Sequence, residues 1–136
     1  KIVFLSDYAH HPAEIKKSVQ SIRDLYRDRK ITAVFQPHLY TRTRDFYKDF
    51  ADSLSLLDEV ILMDIYPARE EPIPGVTSKL IYDNLRPGIE KCMCTKDELL
   101  DLLAHKSLDV LITLGAGDID NYVPEITKLL NDRCNR

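Results

Sequence analysis

The 136-residue chain carries a net charge of −3, with 44% hydrophobic and 30% charged residues. That balance excludes a disordered tract and argues against a general nucleic-acid binder, which would present a basic surface; the length suits one domain with its own core. No apolar run reaches the ~18 residues of a membrane span, and the first residues lack a signal-peptide layout, so a cytoplasmic protein that touches neither membrane nor nucleic acid is expected.

Ile2 to Leu5 is a short, wholly apolar run, as in a strand covered on both faces. It begins almost at residue 1, which leads us to expect a domain taken from a longer chain. Pro12 suits the first position of a helix, where its missing N–H would be unpaired anyway. Ile15, Val19, Ile22 and Tyr26 give that helix an inner face. Asp7, Tyr8, His10 and His11 therefore lie in a strand-to-helix turn. An aromatic ring beside a carboxylate suits a nucleoside, the ring stacking on a base and the carboxylate accepting from ribose hydroxyls. Adjacent histidines are poorly placed to chelate one metal, and no metal site is expected.

Ile31 to Phe35 reads as a second strand, and it runs into Gln36-Pro37-His38-Leu39-Tyr40-Thr41-Arg42-Thr43-Arg44-Asp45. In open α/β sheets such strand ends line the ligand crevice. Two arginines near a helix N-terminus oppose its dipole, so something anionic is expected to offset them. The helix that follows is expected to bury Phe46, Phe50, Leu54 and Leu57. Glu59 to Met63 reads as a third strand ending at Asp64-Ile65-Tyr66. The loop beyond, Pro67 to Val76, is stiffened by three prolines. Within it, Arg69 and Glu70 are expected to pair in solvent.

A short helix from Ser78 to Asn84 precedes a fourth strand, Glu90 to Cys94. The three cysteines, an odd number, fit reduced thiols, with Cys92 and Cys94 as core packing. Thr95 and Glu98 form a capping box for a helix whose apolar side is Leu99, Leu100, Leu102 and Leu103. Asp109 to Leu114 is the fifth strand and ends in Gly115-Ala116-Gly117-Asp118, where glycines let backbone approach a ligand or a neighbouring helix. Five strands alternating with helices predict a Rossmann-like α/β fold, an open and largely parallel sheet with helices on both faces. No Gly-x-x-x-x-Gly-Lys-Ser/Thr loop and no two-carboxylate metal site is evident, so the domain by itself looks catalytically incomplete.

Four ordered stretches, Asp7 to Pro12, Phe35 to Asp45, Asp64 to Val76, and Leu114 to Ile119, together resemble the C-terminal domain of the Mur ligases. The Tyr40-Thr41-Arg42-Thr43-Arg44 run resembles the branch that joins L-alanine to UDP-N-acetylmuramate. The likeness covers residues 1–136. It implies a three-domain enzyme in which an N-terminal domain holds the UDP-sugar, a central domain holds the ATP phosphates and Mg2+, and this domain closes over both. It also implies activation of the muramate carboxylate as an acyl phosphate, which the amine of L-alanine attacks in peptidoglycan synthesis. By the same resemblance Asp7, Tyr8 and His10 would meet the nucleotide. His38, Arg42 and Arg44 would face the amino acid and the charge of acyl transfer, with Gly117 and Asp118 on the substrate side. Leu39 and Arg69 depart from the family pattern, where Arg and Gly are common. The competing expectation is a non-catalytic Rossmann-like domain that binds a nucleotide or an anionic metabolite.

Overall fold

The computed structural model describes residues 1–134. Its elements are β1 (Val3–Asp7), α1 (Pro12–Leu25), β2 (Ile31–Phe35), α2 (Tyr40–Leu54), β3 (Glu59–Met63), α3 (Lys79–Asn84), β4 (Glu90–Cys94), α4 (Lys96–His105), β5 (Val110–Leu114), α5 (Asp118–Asn121) and α6 (Val123–Cys134). The strands form one sheet in the order β1-β5-β2-β3-β4, and every pairing is parallel.

Alternation along the strands divides the core in two. Ile31, Ala33 and Phe35 of β2, with Val60 and Leu62 of β3 and Val110, Ile112 and Leu114 of β5, pack against α1, α2 and α3. Val34, Ile61, Met63 and Leu111 face the other way, onto Leu99 and Leu103 of α4 and Ile126 and Leu130 of α6. Chain direction explains which helix goes where. The chain steps from β1 through β2 and β3 to β4 in one direction, then doubles back to β5. Right-handed crossovers then put α4 on the opposite face from α1, α2 and α3. The loop after β5 thus leaves toward one face, while the loops after its neighbours β1 and β2 leave toward the other. Crevices open at such switch points.

Two sequence expectations change. The first strand is Val3–Asp7 and is only half-buried, because β1 is an edge strand. Ser6 and Asp7 join it through their register with Thr113 and Leu114. In α2 the buried stripe runs Thr43, Phe50, Ala51 and Leu54, with Tyr47 packed partly against it. Phe46 falls outside that stripe and is 42% exposed. Ile15, Val19 and Ile22 of α1 and Leu99 and Leu103 of α4 are buried as expected, whereas Tyr26, Leu100 and Leu102 pack only partly against the core. The Thr95–Glu98 capping box is present, with Glu98 Oε1 accepting from Thr95 N at 2.8 Å. Cys94 is buried, and burial pushes its thiol up to about 12, as befits packing rather than reactivity. Among the described residues no helix is long and apolar enough to cross a membrane.

Candidate active site at the strand ends

The carboxyl ends of β1, β2, β3 and β5 meet in one place. His10 follows β1 and His38 follows β2; their ring centroids are 5.4 Å apart. Tyr66, beyond β3, stacks on His38 at 5.3 Å, and Tyr8 meets His10 edge-on at 5.9 Å. Three strand ends thus contribute to one row of rings, Tyr8, His10, His38 and Tyr66. Tyr8, at its outer end, is 57% exposed and free to stack on a planar ligand.

Backbone pairing carries the β2 and β3 ends past the sheet. Tyr66 N donates to Pro37 O and Leu39 N donates to Tyr66 O, both at 2.8 Å, so His38 and Tyr66 form a parallel bridge. The β5 loop closes onto the same ring. A Cβ on Gly117 would lie 2.5 Å from Tyr66 Cγ, so a larger residue here would have to displace the ring. Gln36 ties the ends together from within. It is 2% exposed, its Oε1 accepts from Ile119 N at 2.9 Å, and its Nε2 donates to Asp64 O and Asp118 Oδ2, each at 3.2 Å.

The expected site residues fall into distinct roles. Asp7 bends the turn after β1: Oδ1 accepts from Ala9 N at 3.0 Å and Oδ2 accepts from the Ser18 hydroxyl. His10 Nδ1 lies 3.0 Å from Tyr8 O, an arrangement that fixes the ring beside His38. His38 is held below the ordinary imidazole value by burial first, then by the Arg42 guanidinium and the His10 ring. Arg42 Nη1 and His38 Nδ1 are buried with no hydrogen-bond partner, so two strong polar groups at one turn lack the partners that buried groups normally have. Arg44 differs: its Nε donates to Asp45 Oδ1 at 2.9 Å on the surface. Asp118 sits in the first turn of α5, bonded to Gln36.

Three features escaped the sequence reading. Tyr66 is central to the ring row, yet nothing but its position at a strand end marks it. The α1 cap is a box built on His11 and Glu14. Glu14 Oε1 accepts from His10 N at 3.2 Å and from His11 N at 3.0 Å, and these bonds, His11's first, hold its carboxyl below the usual range. This cap also draws His10, His11 and Glu14 together, with one potential ligand atom from each within 4.8 Å of the others, a closer approach than neighbouring histidines alone suggest. Glu70, lastly, does not pair with Arg69 as expected. Its carboxylate accepts from Thr41 N at 3.1 Å and from the Thr41 hydroxyl, because the proline-rich loop folds back over the start of α2. Glu70 thus brings a carboxylate of the chain itself to the start of α2, where its charge acts on Arg44.

Residues 1–117 match the family described as Mur ligase, glutamate ligase domain. A UDP-N-acetylmuramate–L-alanine ligase of Phocaeicola vulgatus is 80% identical over 98% of this chain, and one of Parabacteroides distasonis is 55% identical over 96%. The chain spans 29% and 28% of the lengths of those two proteins. The crystal structure of UDP-N-acetylmuramate-alanine ligase from Thermotoga maritima superposes with a TM-score of 0.72 at 29% identity, covering 97% of this chain and 27% of that one. A murein peptide ligase from Psychrobacter arcticus gives 0.73 at 18% identity, over 95% of this chain and 27% of that one, a likeness of fold alone. The chain belongs to the Mur ligase family, as a copy of its C-terminal, glutamate ligase domain.

Proposed function

We propose that this chain is the closing domain of a cytoplasmic, three-domain ligase that uses ATP and Mg2+ to join L-alanine to UDP-N-acetylmuramate. The observation that carries the reading is Arg42, whose Nη1 is buried and unpartnered beside a neutral-leaning His38. A guanidinium fork recognises a carboxylate better than any other common group, and L-alanine supplies one. The high identity to proteins named as L-alanine ligases supports the same substrate.

In this reading ATP supplies activation of the muramate carboxylate as an acyl phosphate, on domains outside this chain. Arg42 holds the alanine carboxylate so that the amine faces the acyl carbon. The amine adds to that carbon, phosphate leaves, and one proton must depart as the amide forms. A His38 ring held below its ordinary value has an unprotonated nitrogen to accept it. Arg44, two residues further along α2 and so on a different face of the helix, pairs with Asp45 and adds positive charge at longer range. Tyr8 would stack on the adenine, while Asp7 and His10 hold the turn and face the ribose. Gly117 and Asp118 would close the substrate side from the β5 loop. The phosphates and Mg2+ would be held by the domains outside this chain.

The test is phosphate release by the full-length enzyme and by residues 1–136 alone. The full-length protein should release phosphate only with ATP, UDP-N-acetylmuramate and L-alanine together, and the fragment should release none. Turnover by the fragment would overturn the division of labour, and turnover indifferent to L-alanine would overturn the substrate.

A further inference from the structure

The start of α2 lacks two local devices that usually secure a helix N-terminus, a side-chain cap and an acidic residue in the first turn. Its N-cap is Leu39, whose side chain cannot accept a hydrogen bond. Its first turn holds no acidic residue but does hold Arg42, whose charge opposes the helix dipole. Leu39 itself sits at φ 73°, a conformation that a residue with a bulky side chain adopts only when its surroundings impose it. Yet this turn carries His38 on one side and Arg42 on the other, and both must be accurately placed to grip a small amino acid.

What holds the turn comes from the loop after β3. Tyr66 pairs with Pro37 and Leu39 through backbone bonds. Glu70 then engages Thr41 with both oxygens, Oε1 accepting from the backbone N–H and Oε2 accepting from the hydroxyl. Those bonds, the hydroxyl's first, keep the carboxyl below the usual range, so it stays anionic against the N-terminus. Glu70 is itself fixed by a turn, its N–H donating to Pro67 O at 2.9 Å, within a segment stiffened by Pro67, Pro72 and Pro74. The cap that α2 lacks in its own sequence is therefore supplied across 29 positions of chain.

We infer that Glu70 is a positioning residue for the amino-acid site: by clamping Thr41 it fixes the strained turn on which His38 and Arg42 are carried. The inference rests on the ligase reading above. It separates the two substrates, because the clamp lies on the β2–β3 side of the row of rings and Tyr8 lies at the β1 end.

The test uses the full-length enzyme with Glu70→Ala, Glu70→Gln and Thr41→Val, and reads the KM for L-alanine, the KM for ATP and kcat. Misplacement by a fraction of an ångström up to 1 Å should lower kcat/KM for L-alanine by roughly 10-fold to 10²-fold in Glu70→Ala. The KM for L-alanine should rise and the KM for ATP should stay within about twofold, because only the turn moves. Glu70→Gln should fall between wild type and Ala, since its amide oxygen still accepts from Thr41 N without the charge. Thr41→Val and Glu70→Gln should combine non-additively, as partners in one contact do. A loss of kcat with both KM values unchanged would mean a merely structural role and would overturn the inference, as would an unaltered KM for L-alanine in Glu70→Ala. A wild-type enzyme that ignores L-alanine would instead sink the ligase reading itself.

Discussion

His38 shows how one residue reports its surroundings. Burial disfavours its charged form, and the Arg42 cation and the His10 ring disfavour it further, so its folded-state value lies below the ordinary 6.5. The unfolded chain therefore binds more protons than the folded one between that lowered value and about 6.5, and stability rises with pH across this window and is lost on acidification through it. Urea unfolding followed from pH 7.5 down to 5.5 should show that slope, and His38→Gln should flatten it. Arg42→Met removes a cation and should move the His38 titration upward in an NMR experiment. A titration that does not move would mean that the two side chains do not share one environment. The same logic explains why Arg42 and Arg44, alike in sequence, separate in space: Arg42 keeps a buried nitrogen without a partner, whereas Arg44 finds Asp45 at the surface.

Between elements, the site depends on how closely the strand-end loops approach. Gly117 lies against the Tyr66 ring, and the Cβ of an alanine would stand 2.5 Å from Tyr66 Cγ. Gly117→Ala should cost roughly 1–3 kcal/mol in chemical denaturation, as overpacking does, and most of that loss should vanish in a Tyr66→Ala background. An equal cost in both backgrounds would place the strain elsewhere. Nothing local in the sequence announces this contact, nor the one between Glu70 and Thr41, because each joins residues far apart in the chain. The strands β2, β3 and β4 were legible because each is bounded as its residue pattern suggests, with β2 and β3 buried on both faces. Ser6 and Asp7 were not, since register with β5 rather than hydrophobicity makes them strand. Phe46 misled because two apolar stripes can be drawn on α2, and only packing against the sheet selects the one through Thr43 and Tyr47. The strand-to-helix turns holding Asp7 to Pro12 and Gln36 to Arg44 could be read from Pro12 and from the ends of apolar runs. Their meeting through His10 and His38 could not, because it requires the strand order.

At the scale of the whole molecule, the sheet order places β5 between β1 and β2, and its outgoing loop departs from theirs toward the opposite face. The crevice so formed has the exposed Tyr8 ring at one end and the unpartnered Arg42 Nη1 at the other, with His10 and His38 between them; in the proposed reading the first takes the nucleoside and the second the carboxylate. In the proposed reading the domain closes over substrates held by the rest of the enzyme. Steady-state kinetics of the full-length enzyme, comparing Tyr8→Ala with Arg42→Ala and Arg42→Lys, test that arrangement most directly. The nucleoside does not change during acyl transfer, so Tyr8→Ala should act mainly as lost uniform binding and raise the KM for ATP. Arg42→Ala should lower kcat/KM for L-alanine by roughly 10²-fold, the equivalent of about 3 kcal/mol of charge-assisted bonding, with Arg44→Ala costing less. Lysine at position 42 keeps the charge but not the planar fork and should recover only part of that loss; if Arg42→Lys left kcat/KM for L-alanine at the wild-type value, recognition of the alanine carboxylate by Arg42 would be contradicted.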